Sequence, residues 1–139
     1  MANDPDVRAR REQIVREHMD AENRLDFEAA LATFTHPRYE LVGLGRVIDG
    51  ADEVRQYFVD SRTPFPDQRN ELIAMHHADD AVIVEFWLLG THLGPIFDEE
   101  PTGRAFRVQM AAIFVFEGVG LVCERVYFNP GDLLAQISG

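Results

Sequence analysis

The sequence contains no lysine; all thirteen of its basic residues are arginine. Without lysine there is no amine for a Schiff base, no anchor for a pyridoxal cofactor and no basic end for a phosphate-binding loop. Serine is nearly as scarce: only Ser61 and Ser138 occur, and neither sits in a G-x-S-x-G elbow. A serine-hydrolase reading therefore has no nucleophile. The single cysteine, Cys123, excludes an internal disulfide and any multi-cysteine zinc site. Neither G-x-G-x-x-G nor H-E-x-x-H is present. The longest apolar run, residues 110–116, is strand-sized and far short of the roughly 20 residues that span a bilayer, so no membrane partner is expected. Residues 1–5 carry neither a basic nor an apolar leader segment, and a cytoplasmic protein is the expectation. A net charge of -11 repels phosphate backbones, which argues against nucleic acid as a partner.

What is present describes one folded domain over residues 1–139, with 46% hydrophobic and 27% charged residues. Asp4 and Pro5 predict a helix start, and Ile14, Val15 and Met19 fall one turn apart within it. Asp26 caps a second helix in which Phe27, Ala30, Leu31 and Phe34 recur at helical spacing, and Pro37 ends it. A short strand at residues 39–42 and a third helix carrying Val54, Tyr57 and Phe58 follow. From residue 72 the period changes to that of strands: residues 72–77, 81–91, 104–117 and 121–129 are predicted strands joined by short turns, an antiparallel meander. A helical turn over residues 133–137 closes the chain. Helices followed by long strands give an α+β order. A coiled sheet over helices leaves a concave cavity, which is the candidate for function.

Several strings resemble the SnoaL-like polyketide cyclase group of the nuclear transport factor 2-like superfamily. Gly90-Thr91-His92-Leu93-Gly94 with Pro101-Thr102-Gly103-Arg104 is similar to the segments that bracket its central hairpin, and Phe65-Pro66-Asp67 to one of its turns. Tyr127-Phe128-Asn129 followed by Leu133-Leu134-Ala135-Gln136 is similar to its ending. The resemblance implies a cone-shaped, cystatin-type fold with a curved antiparallel sheet packed on N-terminal helices. Asn129 stands where cyclase-type members carry an acid/base aspartate; an amide cannot take up a proton, but it can bind an enolate-like oxygen.

If the last two strands pair around Gly118 and Val119, period two puts Cys123, Arg125, Tyr127 and Asn129 on one face, opposite Val108, Met110, Ala112 and Phe114. The family's polar pocket position assigns this set to the cavity. Glu85 and Trp87 share a face; Trp87 serves as pocket wall or core, and Glu85 as a base in an apolar cavity or as a salt-bridge partner of Arg107 or Arg125. His92 either orders the hairpin loop or acts as a general acid/base at the cavity mouth. Tyr39, Tyr57 and Phe58 line the cone, and Tyr57 and Tyr127 are candidate oxyanion donors. His18 reads as a surface or helix-end residue.

The candidate catalytic set is thus Glu85, His92, Asn129 and Tyr127, with Tyr39, Tyr57, Phe58, Trp87, Met110 and Arg125 around the ligand. The expected activity is that of a cyclase or isomerase on a small apolar carbonyl compound, by proton transfer without cofactor or metal. A non-catalytic metabolite binder and a dimeric interaction module are the alternatives. A homodimer through the sheet is expected, because Ala111, Ile113, Val115, Val122, Val126 and Phe128 form an apolar face.

Overall fold

In the computed structural model, which describes residues 4–138, helix α1 (Pro5–Asn23) begins at Asp4, whose carboxylate accepts the Asp6 N–H at 2.8 Å. Helix α2 (Phe27–Ala32) is capped in the same way by Asp26, which accepts the Ala29 N–H at 3.1 Å. Strands β1 (Arg38–Leu41) and β2 (Arg46–Asp49) form a tight antiparallel pair. Helix α3 (Ala51–Arg62) starts after Gly50, whose φ of +92° is open to glycine and strained for other residues. Then come β3 (Arg69–His77), β4 (Ala81–Thr91), β5 (Ala105–Glu117) and β6 (Gly120–Tyr127), and helix α4 (Pro130–Ile137).

The six strands make one sheet in the order β2-β1-β6-β5-β4-β3. The predicted meander is there as β3 to β6, and the helices pack on the concave side of the curved sheet. Two features differ from expectation. Strand β2 is additional; it buries only Ile48, too little alternation to mark a strand in the sequence. Strand β1 joins β6 in parallel, with Tyr39 opposite Glu124 and Leu41 opposite Val126. This pairing links segments some 85 positions apart in the sequence, and no local pattern announces it.

Alternation decides which side chains enter the core. On β4 the even positions Val82, Val84 and Phe86 are buried, and on β5 so are Phe106, Val108, Met110, Ala112 and Phe114. Against them pack Val15 and Met19 of α1 and Val54 and Phe58 of α3. Each of the valine, methionine and phenylalanine side chains among them contributes about 1.5–3 kcal/mol by leaving water.

One irregularity overturns the expected face of β6. Glu117 pairs with Gly120 and Phe116 with Leu121, as a two-residue turn at Gly118 and Val119 requires, but Val115 then pairs with Cys123. Val122 is the extra residue of a β-bulge, and beyond it the alternation is shifted by one. Glu124 and Val126 therefore point into the cone, while Arg125 and Tyr127 point away. Val126, expected on the outer apolar face, is 5% exposed within the core cluster, and Phe128 packs against that cluster.

Candidate functional site

His18 and Glu22 lie four residues apart on α1 and so project from the same helical face into the cone. Across from them stand Tyr39 of β1 and Glu124 of β6, side by side in the parallel pairing. Thr33, at the end of α2, closes the group. Its hydroxyl donates to the Ala30 carbonyl at 2.6 Å and so accepts from His18 Nδ1 at 2.9 Å. The Tyr39 hydroxyl donates to Glu22 Oε2 at 2.8 Å and accepts from His18 Nε2 at 2.8 Å. With both neighbours spent as donors elsewhere, each ring nitrogen must carry a proton, and His18 is an imidazolium.

Burial opposes that charge, but Glu22 and Glu124 outweigh it and raise the His18 pKa to about 10. For Glu22 burial pushes upward, yet the His18 charge, the Arg62 guanidinium and the Tyr39 hydroxyl bring its carboxyl down to about 2. Glu124 moves the other way. Burial and the neighbouring Glu22 charge raise it above the ordinary carboxylate value, and His18 and the Tyr39 hydroxyl offset this only in part. Glu124 Oε1 lies 2.9 Å from His18 Nε2, but the Nε2–H is committed to Tyr39, and the oxygen has no aligned hydrogen bond although its side chain is only 7% exposed. Arg62 adds a second cation, 3.8 Å from Glu22, with its guanidinium over the Phe27 and Phe58 rings. His18, Glu22 and Glu124 could offer three metal ligands within 4.8 Å of one another, but the Tyr39 hydroxyl fills the space between His18 and Glu22 that an ion would need.

This cluster borders a cavity of two chambers. The inner one, about 70 Å³, is lined by Glu22, Glu124, Tyr39, Arg62 and the carboxamides of Asn23 and Asn70. The outer one, about 430 Å³, has mainly apolar walls from Leu41, Phe65, Val108, Ile96, Phe128 and Leu133. Tyr57, Gln68, Leu88, Met110 and Val126 line both and form the boundary they share. The Tyr57 hydroxyl has no hydrogen-bond partner among the described residues. Burial raises its pKa, so it stays a proton donor.

Of the residues named from sequence, the cone gathers Tyr39, Tyr57 and Met110. Phe58 stands behind them, fully buried, stacked on Phe27 and edge-on to Tyr39. The others lie elsewhere. Glu85 and Trp87 occupy odd positions of β4 and face outward, Glu85 bonded to His76 at 2.7 Å rather than to an arginine, and Trp87 beneath the Arg107 guanidinium at 3.6 Å. The bulge at Val122 turns out Arg125, which pairs with Glu40 at 2.6 Å, and Tyr127, which is 41% exposed. Asn129 lies past the strand and caps α4 by accepting the Gly131 N–H at 2.9 Å. His92 is wholly buried, and its Nδ1 accepts the Thr102 N–H, so that of its two expected roles it has the ordering of the β4–β5 loop and not a place at the cavity mouth.

Sequence reading missed His18, Glu22 and Glu124. His18 is the sharpest correction, since the expected surface residue has 0% exposure. Its signal was its place beside Met19 and one turn from Val15 on an apolar stripe, with Glu22 a further turn along. Glu124 was legible as a lone carboxylate in a strand face otherwise made of Val and Phe.

The charge cluster has a thermodynamic signature. Because the folded pKa of His18 lies above 6.5, its stabilising contribution is complete below pH 6.5 and is lost as pH rises toward about 10. His18→Leu is expected to cost about 3–5 kcal/mol at neutral pH by stranding Glu22, and to flatten the fall in stability over that window. Urea denaturation at pH 6, 8 and 10 measures both, and an unchanged slope in the variant would contradict the assignment.

No helix among the described residues is long and apolar enough to cross a membrane. Comparison with solved structures agrees with the geometry. A candidate SnoaL-like polyketide cyclase from Jannaschia sp. CCS1 superposes with a TM-score of 0.84 at 16% identity, over 94% of this chain and 93% of that one. AclR, a candidate hydroxylase from Streptomyces galilaeus, gives 0.79 at 21% identity, over 94% and 82% of the two chains. A protein with a ketosteroid isomerase-like fold from Catenulispora acidiphila DSM 44928, in complex with trimethylamine, gives 0.76 at 18% identity, over 90% and 92%. At these identities the likeness is one of fold. No protein of curated function matches the sequence. The family model described as the SnoaL-like domain matches residues 15–125, most of the chain, so the chain belongs to the SnoaL-like domain family.

Proposed function

We propose that this chain binds a small, mainly apolar carbonyl compound in its outer chamber and moves a proton on it, as a cyclase or isomerase does, using side chains alone. One observation carries the reading: a buried carboxylate oxygen, Glu124 Oε1, lacks an aligned hydrogen bond in the inner chamber, which shares Tyr57, Met110 and Val126 with the apolar outer one. A carboxylate in that position is more basic than one in water. It can remove a proton from the carbon beside a carbonyl, the electron pair passing to the carbonyl oxygen. The free Tyr57 hydroxyl on the boundary shared by the two chambers is the donor suited to that oxygen as charge develops on it. The enolate then takes a proton at another position, an isomerisation, or attacks a second carbonyl, a ring closure.

In this reading Tyr39, His18 and Glu22 position Glu124 and hold its surroundings near neutrality, and the outer wall selects an apolar body. The reading also takes the chain to act in the cytoplasm, where the lone buried thiol of Cys123 stays reduced.

Deuterium uptake from D2O at the α-carbon of an apolar ketone such as 2-tetralone, followed by NMR, tests the chemistry without a known substrate. The protein is expected to accelerate uptake, with the rate rising with pH as Glu124 ionises. Glu124→Gln should slow it by about 10²-fold or more and Tyr57→Phe by roughly 10²-fold. Uptake unaffected by Glu124→Gln would remove Glu124 as the base.

We also propose that the chain pairs with itself through the outer sheet face, where Trp87, Ala111, Ile113 and Val115 leave half-buried apolar surface without a helix over it. Light scattering is expected to return twice the chain mass; a monomer at micromolar concentration would contradict this.

A further inference from the structure

The inner chamber reaches the surface by a route that avoids the outer chamber. Its lining includes Asn23 at the end of α1 and Arg69 at the start of β3, both exposed, with Asn70 beside them. None of these three lines the outer chamber, whose exposed rim is formed by Leu44, Arg46, Asp60, Thr63, Pro95 and Phe97. The cone therefore has two openings with no residue in common.

The two differ in chemistry. The outer rim mixes Leu44, Pro95 and Phe97 with Arg46, Asp60 and Thr63, but the chamber behind it is walled mainly by apolar side chains, so an apolar ligand seated there displaces water from it. The second opening is framed by carboxamides: Asn70 N–H donates to Asn23 Oδ1 at 2.8 Å, and Asn23 Nδ2 donates to the Asn70 carbonyl at 3.1 Å. These bonds tie α1 to β3 and fix the frame. Behind it, about 70 Å³ lined by Glu22, Arg62, Gln68 and Glu124 offers room for a few waters, each with several polar partners. It is too small for the body of an organic ligand.

We propose that the opening at Asn23 and Asn70 is a water port, through which the His18–Glu22–Glu124 cluster exchanges protons with bulk solvent independently of the outer mouth. The step is a plain acid–base one: protonated Glu124 gives its proton to a water in the inner chamber, leaving a carboxylate and a hydronium whose charge moves outward along the waters. The reverse step reloads the site. The port's use in turnover rests on the proton-transfer reading above; the port itself rests on the geometry alone.

The test needs no substrate. In protein labelled with ¹⁵N-histidine, exchange of the His18 ring N–H protons with water is measured by NMR for four forms: unaltered, Asn23→Leu, Asn70→Leu and Phe97→Trp. The leucine variants put an apolar side chain across the port, and Phe97→Trp enlarges the side chain at the outer mouth. Exchange is expected to slow by at least about tenfold in either leucine variant, because a polar proton carrier must pass an apolar constriction, and to stay unchanged in Phe97→Trp. Unaltered His18 ring shifts verify that the cluster persists, and Asn70→Leu stands in should Asn23→Leu fail to fold. Exchange that is undiminished in the leucine variants, or slowed by Phe97→Trp, would overturn the port. Either result would leave the α-proton assay untouched, so failure of the port and failure of the catalytic reading are separable.

Discussion

The interior of this cone is organised by one imidazolium held between two carboxylates. An isolated ion of any of these kinds would be costly in a dry core. His18 is tolerated because Glu22 and Glu124 stand against it and because Thr33 and Tyr39 each accept one of its protons. The arrangement is unequal. Glu22 receives the Tyr39 hydroxyl and the influence of Arg62 and is held ionised, whereas Glu124 has the proximity of His18 without an aligned hydrogen bond. That asymmetry separates the two carboxyls in acidity, which is the condition for one to support structure while the other handles protons.

The fold supplies what this cluster requires. Helix α1 provides His18 and Glu22 from one face, the parallel seam between β1 and β6 sets Tyr39 beside Glu124, and the bulge at Val122 turns Glu124 inward. Leu88 of β4 and Val108 and Met110 of β5 then give the outer chamber an apolar wall, from which the body of an apolar ligand displaces water. The SnoaL-like domain family shares its architecture with proteins of different chemistry, so function must be argued from such a site and not from the sheet.

Much of this was legible in the sequence because local signals carried it. The caps Asp4 and Asp26, the helical stripe of Phe27, Ala30 and Leu31, and the change of period after residue 70 describe helices and strands directly. Four short strings pointed to the family, and Tyr39, Tyr57 and Met110 were placed on the cavity. The remainder depended on long-range or singular geometry. An extra residue in β6 shifts alternation by one, and period-two reasoning past that point places Arg125 and Tyr127 inside and Glu124 outside. His18 looks like a surface residue until two carboxylates, one more than a hundred positions away, supply its counter-charge. Asn129 follows the end of the strand, where a helix cap claims its amide.

The central claim is that Glu124 and Glu22, sharing one imidazolium, are driven to opposite sides of the ordinary carboxyl value. A carbon-detected NMR titration of ¹³C-glutamate-labelled protein, assigned with Glu22→Gln and Glu124→Gln, measures this directly. The account predicts that Glu22 titrates near 2 and Glu124 above 4.5. A Glu124 carboxyl that titrates at or below 4.5 would contradict it.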